Sequence, residues 1–365
     1  MNDFLIIGGG LSGLFTARYL SEAGAQVTLV ERGQPGQESS WAGGGILSPL
    51  YPWKYPPEVS VLVSWSQTHY PQLATELEAN TGIDPQWVQS GLLILDEEEI
   101  PAALTWMTSM EASALPVGSK EIADIEPAVG VPVDNAIWMP QVAQIRNPRL
   151  VQALREDLLI RGVNLVTDTE ITGLLIKGGR VHGARSENTE INARQVVIAC
   201  GAWSGVLFKQ IGYELPVTPV RGQMLLFRAK PGQLQRIVLY KGHYAIPRRD
   251  GHILVGSTME YVGFDKGITA EARQELEAAA REMLPLLAEA PLVKHWAGLR
   301  PGSPNGVPLI TAYPKVEGLY INAGHFRNGV VMGPASAKLM TDILLGKKES
   351  INSAPYGLEA VSASA

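Results

Sequence analysis

An arginine and a tyrosine in the second half of the chain could together bind a carboxylate. Arg300 lies in the sequence Gly-Leu-Arg-Pro, directly after a predicted strand over 293–297, and Tyr244 lies on the predicted strand before the turn at 250–251. A guanidinium binds a carboxylate through two parallel hydrogen bonds, and a tyrosine hydroxyl can donate a third. From residue type alone, a structural arginine and a core-packed tyrosine are the alternatives.

A second chemistry-bearing pattern lies at the start of the chain, where glycines follow a short apolar strand. Gly8, Gly10 and Gly13 come directly after the predicted strand over 4–7, and a helical pattern begins at residue 11. These positions allow a tight turn, the approach of backbone N–H groups to a pyrophosphate, and close packing of helix on strand. Glu31 ends the next predicted strand, where its carboxylate can accept hydrogen bonds from a ribose. This βαβ unit predicts a bound dinucleotide.

Composition limits the class of protein that carries these residues. The chain has 365 residues, 45% of them hydrophobic and 18% charged, so we expect a large interior and two domains. Its net charge of −6 argues against nucleic-acid binding, since there is no basic excess to neutralise phosphates.

The single cysteine, Cys200, excludes an intrachain disulfide and any site built from several cysteines, and we predict no metal site. The single cysteine makes a reducing cytoplasm the expected location, and the N-terminus does not resemble a signal peptide. No apolar run reaches the length that spans a bilayer, so we expect no integral membrane segment.

The order of predicted elements places the two patterns in different parts of the fold. Beyond the first βαβ unit, we predict strands over 92–95, 163–166, 195–200 and 319–322, a hairpin at 178–179, and helices over 62–80, 101–110, 120–125, 147–160, 270–287 and 333–345. Between 217 and 257 long strands follow one another without a helix. We therefore predict a mixed α/β fold, in which a Rossmann-type domain (1–85, 146–215 and 301–350) encloses an inserted β-rich domain (86–145 and 216–300) and a flexible tail follows (351–365).

Further glycine-containing segments follow predicted strands, and their order is informative. The segments are 39–48 with three consecutive glycines, 198–204, 221–223, 244–247, 256–259, 298–301 and 324–334. Together with 8–31, they resemble the D-amino acid oxidase family of flavin-dependent amine oxidases, particularly its glycine-oxidising members. The resemblance covers nearly the whole chain. It implies an FAD-binding domain and an inserted substrate-binding domain.

Within this resemblance the cofactor is FAD, and it is noncovalent because residues 301–365 lack the cysteine that tethers flavin in relatives acting on sarcosine. The resemblance implies cofactor contacts from Gly8, Gly10, Leu11, Ser12, Gly13, Glu31, Arg32, Ser39, Ser40, Ala42, Gly43, Gly44, Gly45, Ile46, Gly201, Trp203, His325, Arg327, Asn328, Gly329, Val330, Val331 and Met332. A helix N-terminus near 329–332 would stabilise an anionic reduced flavin. An ordinary strand-to-helix loop is the alternative.

The substrate-binding residues implied by the resemblance are Tyr244, Met259, Arg300 and Arg327. Taken alone, Met259 fits a core position better. His243 and His325 are candidate general bases, although a structural role suits each better, and no residue is assigned to catalysis with certainty. A neutral amine could lose its α-hydrogen as hydride to flavin N5 without a base.

The reaction implied is oxidation of glycine, sarcosine and small D-amino acids by dioxygen, with release of a 2-oxo acid, ammonia or an amine, and hydrogen peroxide. A role in thiamine biosynthesis and a homo-oligomer, a tetramer by resemblance, are also implied. Two alternatives stay open at this point: a dehydrogenase that uses a non-oxygen acceptor, and a catalytically silent flavoprotein subunit.

Overall fold

The computed structural model describes residues 2–110 and 114–363, which form sixteen strands in two eight-stranded sheets together with ten α-helices. The strands are β1 (Asn2–Ile7), β2 (Val27–Val30), β3 (Leu92–Ile94), β4 (Leu115–Gly118), β5 (Asn135–Met139), β6 (Asn164–Val166), β7 (Gly173–Lys177), β8 (Arg180–Arg185), β9 (Glu190–Ile198), β10 (Thr218–Arg228), β11 (Ile237–Tyr240), β12 (His243–Pro247), β13 (His252–Gly256), β14 (Leu292–Gly302), β15 (Leu309–Ala312) and β16 (Leu319–Ala323). The helices are α1 (Leu11–Glu22), α2 (Ser39–Ala42), α3 (Pro57–Thr81), α4 (Ile100–Met110), α5 (Ser119–Ile125), α6 (Asn147–Ile160), α7 (Ser204–Gln210), α8 (Ala270–Met283), α9 (Gly329–Leu344) and α10 (Leu358–Ala363).

The first sheet is the predicted Rossmann-type layer. Its order is β15-β16-β9-β1-β2-β6, with β7 and β8 joined through β9. The strands β16, β9, β1, β2 and β6 are parallel, and all four residues of β2 are buried, as expected for a strand covered by helices on both faces. Helices α1, α6 and α9 pack around this core.

The second sheet confirms the β-rich architecture expected between 217 and 257. Its order is β14-β10-β13-β12-β11-β3-β5-β4, and every pair except β3 with β11 is antiparallel. Strands β3 to β5 come from the segment before α6, so the chain enters this sheet twice. The mixed α/β fold class is confirmed, and we propose that the two sheets mark the two predicted domains.

Helix α9 begins four residues earlier than the sequence predicts, at Gly329 rather than Gly333. Proline inside a helix removes the N–H that would bond the carbonyl four residues earlier. Here the hydroxyl of Tyr70 donates to that carbonyl, on Val330, at 2.5 Å, and Ser66 Oγ accepts from the N–H of Ala335 at 3.1 Å. Helix α3 thus supplies the hydrogen bonds that allow Pro334 to lie within α9.

The structure also corrects two expectations, which concern the end of a strand and the C-terminal tail. Strand β14 continues to Gly302, so Arg300 lies within a strand rather than after it. The described part of the predicted flexible tail packs on the first sheet: Tyr356 and Val361 are each 1% exposed, and the Tyr356 hydroxyl donates to the Glu58 carbonyl at 2.9 Å. Burial of apolar side chains holds this segment. None of the helices in the described ranges combines the length and apolarity that a membrane-spanning segment requires.

Candidate active site

A long cavity lies between the two sheets and has about 1650 Å³ of empty space, including its open mouth. The carboxyl ends of β1, β2 and β9 supply one wall, which is where open α/β sheets bind ligands. The second sheet supplies Tyr244 and Arg300 to the opposite part of the wall. The lining thus extends from the glycine turn after β1 to Arg300, so one ligand at the strand ends and a second, smaller one at Arg300 can share this cavity.

The glycine turn after β1 has the geometry that the fingerprint predicts. Gly8 has φ +111°, which disfavours any side chain, and a Cβ on Gly13 would lie 2.0 Å from the Gly8 carbonyl oxygen. Helix α1 can therefore pack directly on β1. The N-terminus of α1 faces the cavity through Gly10, Leu11 and Ser12. This is a site suited to a pyrophosphate.

Glu31 lies at the end of β2, as predicted, and lines the cavity with Arg32. Its carboxylate accepts hydrogen bonds from the N–H groups of Gly9 at 2.7 Å and Gly33 at 3.2 Å, which fix its orientation. Each carboxylate oxygen has capacity for a further bond, so a ribose hydroxyl fits. The Arg32 guanidinium lies 3.9 Å from the centroid of the Trp203 ring.

The other end of the cavity suits a flat ring with hydrogen-bond acceptors. It is lined by Gly43, Gly44, Gly45 and Ile46 on one side and by His325, Arg327, Asn328, Gly329 and Val330 on another. Helix α9 starts here, so its positive end opens on the cavity. The Nδ2 group of Asn328 is buried and has no hydrogen-bond partner among the described residues. A buried donor without a partner fits a ligand carbonyl, such as those of a flavin ring.

His325 lies in a buried hydrogen-bonded chain that joins the two ends of the sequence. Its Nε2 is 2.6 Å from Ser336 Oγ, which itself donates to Asn322 Oδ1 at 2.7 Å. Nε2 must therefore carry the proton, and Nδ1 is left as the acceptor 3.4 Å from Ser12 Oγ. Burial lowers the pKa of His325 to about 4. The imidazole is neutral at physiological pH, and its contacts favour a structural role over that of a general base.

Arg300 is the residue best placed to bind an anion. Its guanidinium donates to Ser257 Oγ at 2.8 Å and to the Thr258 carbonyl at 3.1 Å, and no carboxylate lies within 4.0 Å of it among the described residues. Burial lowers its pKa from the ordinary value of 12.5. Gly222 on β10 makes the space: a Cβ there would lie 2.2 Å from the guanidinium nitrogens. A partly buried cation without a carboxylate partner is suited to an anionic ligand.

Tyr244 lies on β12 and reaches the same cavity. Its side chain is buried, and its hydroxyl donates only to the sulfur of Met224, at 3.3 Å. This is a weak bond that a carboxylate oxygen could replace. The ring packs on Gly44, where a Cβ would lie 3.1 Å from Tyr244 Cε2. The structure therefore brings Tyr244 and Arg300 to one cavity that also borders the three-glycine segment.

Most of the predicted site residues line the cavity, and five do not. Met259 is 50% exposed and lies outside the wall, although the carbonyl of the preceding residue, Thr258, accepts from Arg300 at 3.1 Å. Gly13 packs helix on strand, and Val331 and Met332 lie in the first turn of α9 with their side chains buried in the core. Ala42 lies behind the wall, where its carbonyl accepts from Trp296 Nε1 at 3.1 Å. In addition to these five, the candidate base His243 lies outside the wall.

Sequence reasoning missed several residues of the wall. Ser48, Ser257, Pro301 and Phe326 lie within the glycine-containing segments 39–48, 256–259, 298–301 and 324–334 but were not assigned to the site, and Leu50 lies two positions beyond the first of these segments. Membership of those segments is the signal that could have found them. Residues 169–171 reach the cavity because β6 pairs with β2 and Thr169 N donates to the Glu31 carbonyl at 3.0 Å, and no local signal in the sequence predicts this contact. No group of three or more His, Cys, Asp or Glu suited to a metal ion occurs in 2–110 or 114–363.

The chain is similar to known proteins over nearly its whole length. The family model DAO, described as FAD dependent oxidoreductase, matches residues 3–343. The chain is 48% identical over 353 residues to glycine oxidase of Pseudomonas aeruginosa, covering 96% of this chain and 97% of that protein. It is 31% identical to the bifunctional protein ThiO/ThiG of Trichormus variabilis, covering 95% of this chain and 53% of that protein.

A similar solved structure is the crystal structure of glycine oxidase from Geobacillus kaustophilus, with a TM-score of 0.93, 29% identity, and coverage of 98% of both chains. The match includes both sheets and therefore both walls of the cavity. This chain thus belongs to the DAO family of FAD-dependent oxidoreductases, and its class is that of the FAD-dependent amine and amino-acid oxidases.

Proposed function

We propose that this enzyme oxidises glycine, sarcosine and small D-amino acids with FAD and dioxygen. The observation that carries the proposal is Arg300, a partly buried cation without a carboxylate partner among the described residues, in the wall of the cavity whose other end suits FAD. The relatives named glycine oxidase support the choice of small amino acids. For glycine, the overall reaction takes up dioxygen and water and releases glyoxylate, ammonia and hydrogen peroxide.

The residues of this chain position the substrate, while bound FAD supplies the acceptor for the hydrogen and electron pair that leave the α-carbon. Arg300 binds the substrate carboxylate through its guanidinium, and Tyr244 donates its hydroxyl to the same group. Arg327, which also lines the cavity, adds positive charge near the carboxylate. These contacts hold the α-carbon in a fixed place, which is the protein's main contribution to the rate.

No general base is evident at the end of the cavity that holds Tyr244 and Arg300, among the described residues. His325 is neutral but has both ring nitrogens in buried contacts, and Glu31 is held at the nucleotide end by two N–H groups. A substrate amine that enters neutral needs no base, because its lone pair assists the loss of the α-hydrogen. Water then hydrolyses the imine product.

A peroxide-coupled assay with glycine, sarcosine, D-alanine and D-proline tests the proposal. We expect hydrogen peroxide to form with at least one of them. Absence of turnover with all four would reject the proposed substrates and favour a silent flavoprotein. Anaerobic reduction by substrate followed by air separates the oxidase from a dehydrogenase, because slow reoxidation would reject dioxygen as the acceptor.

We also propose that FAD is bound noncovalently. The thiol of Cys200 lines the cavity but donates to the Ile7 carbonyl at 3.2 Å, and burial raises its pKa to about 12, so it is a poor nucleophile for a flavin. Acid precipitation should release all of the yellow colour into the supernatant. Flavin that stays in the pellet would contradict this.

A role in thiamine biosynthesis belongs to the same proposal and is supported by the similarity to the ThiO/ThiG protein. A strain that lacks this gene should then grow more slowly without added thiamine. A cytoplasmic location and a homotetramer stay predictions from the sequence, and fractionation and light scattering would test them.

A further inference from the structure

Four consecutive carbonyls at 42–45 are held by groups that lie behind the cavity wall rather than in it. The wall itself includes Gly43, Gly44 and Gly45. The four bonds are Trp296 Nε1 to Ala42 O at 3.1 Å, Asn147 Nδ2 to Gly43 O at 3.0 Å, an Arg248 terminal nitrogen to Gly44 O at 2.6 Å, and Ile145 N to Gly45 O at 2.8 Å. The donors come from β14, α6, the β12–β13 turn and the segment before α6. Four separate parts of the chain therefore set the orientation of these peptide groups.

This arrangement determines where the N–H groups point. In a planar trans peptide, the carbonyl of one residue and the N–H of the next point in opposite directions. The N–H groups of Gly44 and Gly45 therefore point away from Asn147 and Arg248. Both glycines are buried, and neither N–H has a hydrogen-bond partner among the described residues. Buried N–H groups without a partner are rare, so these two are donors for a ligand in the cavity.

Arg248 differs from the other donors because it is charged. Its guanidinium also donates to Gln144 Oε1 at 2.8 Å and to the Ile145 carbonyl at 3.3 Å, and no carboxylate lies within 4.0 Å of it in the described part of the chain. Burial lowers its pKa to about 10, so it is a cation at neutral pH. The peptide group of Gly44 thus lies between the Arg248 guanidinium and the cavity.

We propose that Arg248 is a positioning residue for the flavin end of the cofactor. By holding the Gly44 carbonyl, it directs the N–H of Gly45 toward an acceptor on the flavin ring. Its charge favours the reduced flavin, which carries more negative charge than the oxidised form. Arg248 acts through Gly44 and not by touching the substrate. The inference rests on the use of FAD, and it adds a determinant of cofactor affinity and reduction potential to the proposed function.

The test compares Arg248→Met with Arg249→Met, a matched control in the same turn. Arg249 is exposed and pairs with Asp84 Oδ2 at 2.6 Å, away from the glycine segment. The apoproteins are titrated with FAD by fluorescence, and the two-electron potential is measured anaerobically against reference dyes. In Arg248→Met we expect about tenfold weaker binding of oxidised FAD and about hundredfold weaker binding of reduced FAD. The tenfold difference equals about 30 mV of lower potential. Arg249→Met should keep both values.

Equal potential and FAD affinity in the two methionine variants would overturn the proposal. If Arg248→Met fails to fold by circular dichroism, Arg248→Lys carries the test. A lysine keeps the positive charge, so we expect a near-normal reduction potential. It lacks the planar guanidinium that bonds three acceptors at once, so we expect weaker FAD binding. Normal values of both in the lysine variant would also overturn the proposal. Since no amino-acid substrate is used, the result does not depend on the proposed substrates.

Discussion

Replacing Arg300 with methionine tests the carboxylate clamp directly. Methionine has a similar reach and no charge, so the change removes the guanidinium while leaving the cavity filled. The guanidinium has hydrogen bonds to Ser257 and Thr258 on one side and the open cavity on the other, and no acidic partner competes for it among the described residues. Its free N–H groups are thus available to the substrate carboxylate.

The size of the effect follows from the number of bonds lost. A hydrogen bond to a charged group contributes about 1.5–3 kcal/mol, so two parallel bonds contribute about 3–6 kcal/mol. At about 1.4 kcal/mol per factor of ten, kcat/KM for glycine should fall by about 10²–10⁴-fold. Most of the loss should appear as a higher KM, because the carboxylate is bound in both the ground state and the transition state.

A comparison of substrates makes this test specific. Steady-state kinetics should be measured with glycine and with a small amine that lacks the carboxylate, such as ethylamine. The loss in kcat/KM should be confined to glycine, and Arg300→Lys should show an intermediate loss because lysine keeps the charge without the planar fork. A KM for glycine that is unchanged in Arg300→Met would refute the assignment of Arg300 to the substrate carboxylate. An equal loss for both substrates would indicate a general distortion of the site.

Three other predictions concern positioning, pH and the C-terminal segment. Gly222→Ala should lower kcat/KM for glycine at least about tenfold, because the new Cβ would displace the Arg300 guanidinium. The control is Gly205→Ala, which should leave the kinetics unchanged because its Cβ would meet nothing closer than 3.6 Å. His325 has a pKa of about 4 when folded and about 6.5 when unfolded, so the unfolded chain binds the extra proton and stability falls as pH drops from 6.5 to 4. The buried neutral His325 thus contributes about 3 kcal/mol to the free energy of unfolding above pH 6.5. In His325→Gln, the unfolding free energy of the apoprotein should therefore depend less steeply on pH between 6.5 and 4. An unchanged slope would contradict the buried neutral state. Tyr356→Phe should lower the free energy of unfolding in urea by about 1 kcal/mol through loss of its hydroxyl bond, and no change would show that the C-terminal segment does not pack in solution.

The spacing of residues along the chain was sufficient to predict the nucleotide end of the site. The turn at Gly8, the close packing at Gly13 and the position of Glu31 all depend on residues within a single βαβ unit. Their spacing therefore predicted the fold of this part and its place at the strand ends. The composition and the helix-free strands between 217 and 257 likewise predicted the second sheet, because hairpin pairing is local in sequence.

Features that depend on contacts between distant parts of the chain could not be predicted in this way. The start of α9 depends on Tyr70, which compensates for Pro334 from 264 positions away, and the 351–363 segment is ordered by a core that its own composition does not reveal. Met259 was placed in the site by resemblance, yet its side chain is half exposed in the structure.

The chain by itself determined which residue types are available for chemistry: the glycine turn, the cation at Arg300 and the hydroxyl of Tyr244. Only the tertiary structure decided that Arg300 has no carboxylate partner in the described residues and that Arg248 holds the carbonyl of Gly44. The physical reason is that spacing within an element is set by local backbone geometry. The partner of a buried charge is set instead by which distant elements pack against it.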